Sequence, residues 1–379
     1  MPAEGRETDD EGRAMKNTRP VYLTGDARTR FQEVPNFAEG LYDLGSQVYA
    51  WLTPNGSWGE SNAGLIVGKT DSLLIDTLWD VRLTRRMLAA MGPLTGDAPI
   101  TRLVNTHADG DHFWGNQLLD AAEIIASHAA AEEMHDIKPL QMRLLGFLGR
   151  CLSMLPFGGA DKAGHWFQAM IKPYDFAEVK PTLPTRTFSR SLRIELGGRA
   201  IDLMEAGPAH TRGDAMVFIP DARVLFTGDI IFCGSTPVMW AGPLQNWLDV
   251  LDKILAMDAH TIIPGHGPAT DKDGVQAVKA YWEYLDRHVK ERFRRGLTAR
   301  QAAYDIVFTG DFARQPFARW NSPERIMTNT HIIYRHLRGR TGPLKAPELI
   351  VLMWRQALLA HDLPDAQPQA MRKPTGGTI

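Results

Sequence analysis

The sequence predicts an α/β protein, and three observations carry that expectation. Short apolar runs of buried-strand length alternate with longer segments whose apolar residues recur every three or four positions. The first runs are spaced as a β-hairpin, and the later ones as strand–helix units. Several runs end in Gly or Pro followed by a single His or Asp. Strand ends along one edge of a sheet are where sites assemble in layered α/β folds.

Taken in order, Val48–Leu52 alternates weakly and stops at the turn Thr53-Pro54-Asn55-Gly56-Ser57. Ala63–Val67 and Ser72–Ile75, joined by Gly68-Lys69-Thr70-Asp71, read as a hairpin that delivers Asp76 and Thr77. Residues 80–91 suit a helix, with Val81, Leu83, Met87, Leu88 and Met91 on its apolar side. Ile100–Val104 has the composition of a buried strand, and residues 122–126 and 129–134 repeat the order of strand then helix.

Residues 135–187 break the rhythm. Leu140, Leu144, Phe147, Leu148, Cys151, Leu152 and Leu155 make one continuous helical face, ended by Pro156-Phe157-Gly158-Gly159. Met142, Leu145 and Met154 add apolar side chains beside Arg143 and Arg150, so the helix is too short and too charged for a membrane span. Three uses fit it: a packed core helix, a lid over a site, or a subunit contact that would make a homo-oligomer. A loop with Pro173, Pro181 and Pro184 leads back to a strand at Ser191–Leu196.

Strand patterns follow at 200–204, 216–219 and 223–226, the last two a hairpin across Pro220-Asp221, then a helix over 247–257 and a short strand over 260–263. From Gly274 the pattern turns helical. Val275, Val278, Trp282, Leu285, Val289 and Phe293 mark one helix, and Thr298 can cap a second through Ala303 and Ile306. Ser322 with Pro323 opens a third that Gly339 ends.

Composition excludes several function classes. With 44% hydrophobic and 23% charged residues in 379, the chain can bury a full core as a soluble globular protein. A formal charge of −2 gives no bulk attraction to nucleic acid or to a membrane surface. Cys151 and Cys233 are too few for a disulfide framework or a thiolate cluster. No apolar run preceded by positive charge stands near the N-terminus. The first 19 residues are polar, so a disordered tail and a cytoplasmic location are expected. The expected partner is a small-molecule substrate.

The chemistry concentrates in Asn105-Thr106-His107-Ala108-Asp109-Gly110-Asp111-His112, directly after the 100–104 strand. Four side chains that can bind a metal crowd one turn, and such groups repel unless a cation sits among them. Three further clusters follow strand-like runs: Gly207-Pro208-Ala209-His210-Thr211-Arg212-Gly213-Asp214, Thr227-Gly228-Asp229 and Pro264-Gly265-His266-Gly267.

In that order, with Asp76 before them, these motifs resemble the metallo-β-lactamase fold superfamily from about residue 45 to 270. The resemblance implies an αββα sandwich of two mixed β-sheets with outer helices. Here it would span 41–272, with a helical insert at about 135–187, an N-terminal tail over 1–40, a C-terminal helical extension over 273–345 and a last segment and tail over 346–379. It also implies two divalent metal ions, one held by His107, Asp109 and His210, the other by Asp111, His112 and His266, with Asp229 bridging. Asp76 would fix the metal-bearing loop rather than ligate.

Asp109 departs from the family, which has histidine there. A carboxylate is the harder ligand, so iron or manganese joins zinc as a candidate, and a single-metal enzyme stays open. A carboxylate also stands there in the redox flavodiiron branch, as glutamate, but this chain has no flavin-phosphate loop. Histidines and carboxylates around a divalent ion make a Lewis acid that brings water towards ionisation at neutral pH. The implied reaction is hydrolysis of an ester, lactone, thioester, amide or related bond, with Asp111 orienting the water and taking its proton. A non-catalytic member of the fold is the remaining class. His128, His135, His165, His260, His288, His331, His336 and His361 read as surface or packing residues, and Trp79 and Trp240 as candidate pocket walls.

Overall fold

The computed structural model describes residue 15 and residues 18–119, 121–363 and 368–372. Two mixed sheets form its centre. The first runs in chain order: β1 (Arg19–Leu23), β2 (Gly40–Asp43), β3 (Val48–Leu52), β4 (Ala63–Val67), β5 (Ser72–Ile75), β6 (Ile100–Val104), β7 (Glu123–Ser127) and β8 (Arg186–Phe188). Pairing is antiparallel to β5 and parallel from there to β8. The second sheet holds β9 (Ser191–Leu196), β10 (Arg199–Glu205), β11 (Ala215–Ile219), β12 (Val224–Phe226) and β13 (Thr261–Ile263). There β12 and β13 pair in parallel and the other neighbours antiparallel.

The layering follows from strand periodicity, because successive side chains point to opposite faces. Val48, Ala50 and Leu52 enter one apolar core while Tyr49 and Trp51 enter another. Val217 and Ile219 likewise face the same inner core, and Met216 turns to a third. The inner core therefore lies between the sheets. Each outer core lies between one sheet and helices: α1 (Val81–Thr95), α3 (His128–Met134) and α5 (Ala160–Ile171) on the first sheet, α6 (Leu244–Ala256) and α7 (Lys272–Arg294) on the second. This is the αββα sandwich. The remaining helices are the short α2 (Gly110–Phe113), α4 (Pro139–Ser153), α8 (Ala299–Thr309), α9 (Ile326–Leu337) and α10 (Ala346–Asp362). No helix among the described residues is long and apolar enough to cross a membrane.

Three expectations need correction. The segment expected as a tail to residue 40 supplies the edge strand β1, paired with β2; residues 1–14, 16 and 17 lie outside the described set. The 135–187 insert holds two helices, not one. Gly149 and Gly164 let them touch, since a Cβ on Gly164 would lie 2.3 Å from the Ser153 nitrogen. The segment from 346 forms α10, and Ala370 donates from its backbone to the Gly56 carbonyl, 3.1 Å away. Residues 364–367 and 373–379 are outside the described set.

Parallel β5 and β6 end on the same edge, which places Asp76 beside the 105–112 turn. Parallel β12 and β13 likewise place Asp229 beside His266. Asn62 joins the two sheets there, donating from its backbone to Gly265 and from its amide to Pro264 and Gly267, all within 2.9 Å.

Candidate metal centre

The site begins at Asp76, whose φ of 59° is left-handed and turns its carboxylate under the next strand's turn. Its oxygens accept from the backbone nitrogen and hydroxyl of Thr106, both at 2.7 Å, and from His112 Nδ1 at 3.0 Å. The Thr106 hydroxyl has one proton and gives it to Asp76. His107 Nδ1, 3.0 Å from that hydroxyl oxygen, must therefore be the donor between them.

The other two histidines obey the same logic. His210 Nδ1 lies 2.7 Å from the Val238 carbonyl and His266 Nδ1 lies 3.0 Å from the Glu60 carbonyl. Carbonyls only accept, so both Nδ1 atoms carry protons. In their neutral forms all four imidazoles then present the Nε2 lone pair inward.

Those lone pairs meet carboxylates. Asp229 stands 3.2 Å from His112, 3.3 Å from His266, 3.4 Å from His210 and 3.8 Å from His107. Asp111 stands 3.4 Å from His266 and 3.6 Å from His112, and Asp109 3.0 Å from His210. Among the described residues, His107 Nε2, His112 Nε2, Asp111 Oδ2 and Asp229 Oδ1 are buried without a hydrogen-bond partner. Neutral imidazole lone pairs facing carboxylates repel, and a positive charge among them is what satisfies both. The residues fit divalent cations. Two compact groups could hold them: His107, His210 and Asp229, and Asp111, His112 and His266.

Electrostatics report the same demand. Burial opposes charge on His210, yet the Asp229 and Asp109 carboxylates outweigh it and lift its pKa to about 10. Burial lifts the Asp111 carboxyl to about 6 against the pull of His112 and His266. Burial also works against charge on Asp229, but the four surrounding imidazoles hold it well below the ordinary range.

The turns that carry these side chains leave no room for substitution. A Cβ on Gly265 would lie 1.8 Å from Asp229 Oδ1, and Gly228 takes φ 50° against Thr106. Ser61 donates to the Asp111 carbonyl at 2.6 Å, and Asn105 to the His112 carbonyl at 3.0 Å.

The profile of the metallo-beta-lactamase superfamily matches residues 56–266, more than half of the chain. The chain belongs to the metallo-beta-lactamase superfamily. Its curated relatives in that superfamily include hydrolases, among them an acyl-coenzyme A thioesterase and hydroxyacylglutathione hydrolases. The chain is 22% identical to the 2,4-dinitroanisole O-demethylase subunit alpha of Nocardioides sp. (strain JS1661), over 72% of this chain and 74% of that one. It is 26% identical to the linear primary-alkylsulfatase of Pseudomonas sp. (strain ATCC 19151), over 54% of this chain and 41% of that one. Its fold is similar to that of a stereoselective inverting sec-alkylsulfatase from Pseudomonas sp., with a TM-score of 0.60 and 17% identity over 83% of this chain and 54% of that one. The chain thus spans about half the length of the sulfatases it matches.

Within the superfamily site, Asp109 stands at the rim, its side chain 31% exposed, and Asp229 completes the compact group around His107 and His210. Trp79 is no open wall. It is buried beneath the site loops, stacked on Trp114 at 6.4 Å with Tyr174 and Phe176 edge-on. Trp240 is half-buried and donates from its backbone to the His210 carbonyl at 2.8 Å. Several histidines outside the motifs have local partners: His331 pairs with Glu348, His128 with Glu132, and His361 with the Lys162 carbonyl.

Sequence reasoning missed what anchors the ligands. The Val238 and Glu60 carbonyls carry no side-chain signal. Asp214, which accepts from the Thr211 hydroxyl at 2.6 Å and backbone at 3.0 Å, was legible only as the end of its motif. Glu60 ties its own loop through the Ser57 nitrogen and the Tyr174 hydroxyl.

Proposed function

We propose that the chain hydrolyses an ester, lactone, thioester, amide or related bond of a small molecule, using two divalent cations. Zinc is the first candidate, with iron or manganese admitted by Asp109. The observation that carries this reading is the convergence of four imidazole Nε2 atoms and three carboxylates in one cluster, with atoms on both kinds of group that have no hydrogen-bond partner among the described residues.

His107, Asp109 and His210 would hold one cation and Asp111, His112 and His266 the other, with Asp229 between them. Bound cations would supply Lewis acidity, easing ionisation of water and polarising the oxygen of the scissile bond. Asp111 Oδ2, buried beside His112 and His266, orients that water and takes its proton as the water oxygen attacks. The same proton is then available to the leaving group. Asp76 fixes the His112 tautomer directly and that of His107 through Thr106. Trp240 would border the substrate pocket.

A panel of carboxylic ester, lactone, thioester, sulfate ester, phosphodiester and β-lactam substrates tests this reading, with chelation and metal replacement. At least one substrate should turn over, stop on chelation and recover with zinc, iron or manganese. Turnover indifferent to chelation would overturn it. Activity that requires oxygen and a reductant would move the chain to the redox class.

A further inference from the structure

Among the described residues, the helical hairpin of α4 and α5 leaves one face of α4 uncovered. Leu140, Leu144, Phe147 and Leu148, with Met154, Leu155 and Phe157 just beyond the helix, are each between 39% and 73% exposed. By contrast, α5 turns Ala163, Trp166, Phe167, Met170 and Ile171 into the core beneath. A row of seven large exposed apolar side chains is the kind of contiguous patch that marks an interaction surface.

Charge selects which partner. Helix α4 carries Arg143 and Arg150, with Lys138 immediately before it, and no carboxylate. The nearest acidic residues in sequence are Asp136 and Asp161. The two arginines are about two turns apart, so they stand in line along one margin of the apolar face. A second copy packed antiparallel on this face would bring both arginine rows to the same seam. A sheet of anionic headgroups would neutralise them, while the apolar row enters the acyl boundary and the arginine stems reach up to the surface.

A groove of about 430 Å³ continues the face. Leu140 and Arg143 line it together with Met134, Ile137, Phe176 and Val179, so an acyl chain has apolar walls and a cationic rim. The groove starts where α3 ends, and α3 is tied to the His210 loop by Ser127 to Gly213 and by Arg212 to Glu133.

We propose that α4 is a membrane-surface element that seats this chain on anionic phospholipid. The proposal is independent of the reaction assigned to the metal centre.

Co-sedimentation of the full chain with phosphatidylcholine vesicles, with and without phosphatidylglycerol, tests it. Wild type should bind only the anionic vesicles, and added salt should weaken the binding. The double substitution Leu144→Glu with Phe147→Glu, at exposed positions, should reduce binding at least about tenfold with an unchanged melting temperature. Arg143→Glu with Arg150→Glu should remove the preference for anionic lipid. Equal binding by wild type and both variants would overturn the proposal, as would failure of wild type to bind. Light scattering that showed a dimer, dissolved by the apolar-to-acidic pair and indifferent to vesicles, would assign the face to a second copy instead.

Discussion

Asp76 shows how much one side chain outside the ligand groups governs here. It accepts two bonds from Thr106 and one from His112 while holding a left-handed backbone. Asp76→Ala should cost about 2–4 kcal/mol of stability and weaken metal binding about 10–100-fold, read by thermal melting and metal titration. Asp111→Asn should lower kcat/KM by about 10²–10⁴-fold with little change in melting, whereas His210→Ala should lose metal as well. Glu324 offers a pH test away from the centre. It is fully buried, and burial lifts its pKa from 4.5 to about 7 against the opposing pull of the Arg325 guanidinium and the Trp166 indole. The folded protein therefore holds this proton more tightly than the unfolded chain. The stability it contributes below pH 4.5 is lost as pH rises through 7. Glu324→Gln should thus gain on wild type between pH 5 and pH 8, by on the order of 2–3 kcal/mol in denaturant unfolding. At this scale the ligand candidates were legible because histidine and aspartate have few other reasons to crowd a strand end. The carbonyls that choose each tautomer were not, because every residue has one.

Elements were legible where their periodicity stood alone. The β4–β5 hairpin and the Thr298 cap needed only local chemistry, and the cap carries a full capping box with Gln301. Helix α5 was missed although Ala163, Trp166, Phe167, Met170 and Ile171 repeat at helical spacing, since Gly158-Gly159 and three prolines nearby read as a loop. Strand β1 was missed because its side chains are exposed and its pairing with β2 is long-range. The hairpin of α4 and α5 should be sensitive to its glycine crossing. Gly164→Val would press a side chain against the Ser153 backbone and should destabilise by about 1–3 kcal/mol in thermal unfolding.

At the scale of the molecule, the sandwich brings the ends of β5, β6, β12 and β13 to one edge, so loops from both sheets contribute to one cluster of metal-ligating side chains. The inner core between the sheets holds that edge fixed, and Asn62 joins the sheets beside it. No local stretch encodes this convergence; only the order of motifs hinted at it. Elemental analysis of protein purified without added metal, beside His210→Ala, tests the central claim most directly. Wild type should carry between about one and two divalent ions per chain, and the variant markedly less. Wild type free of divalent metal, and unable to take it up on titration, would contradict the account.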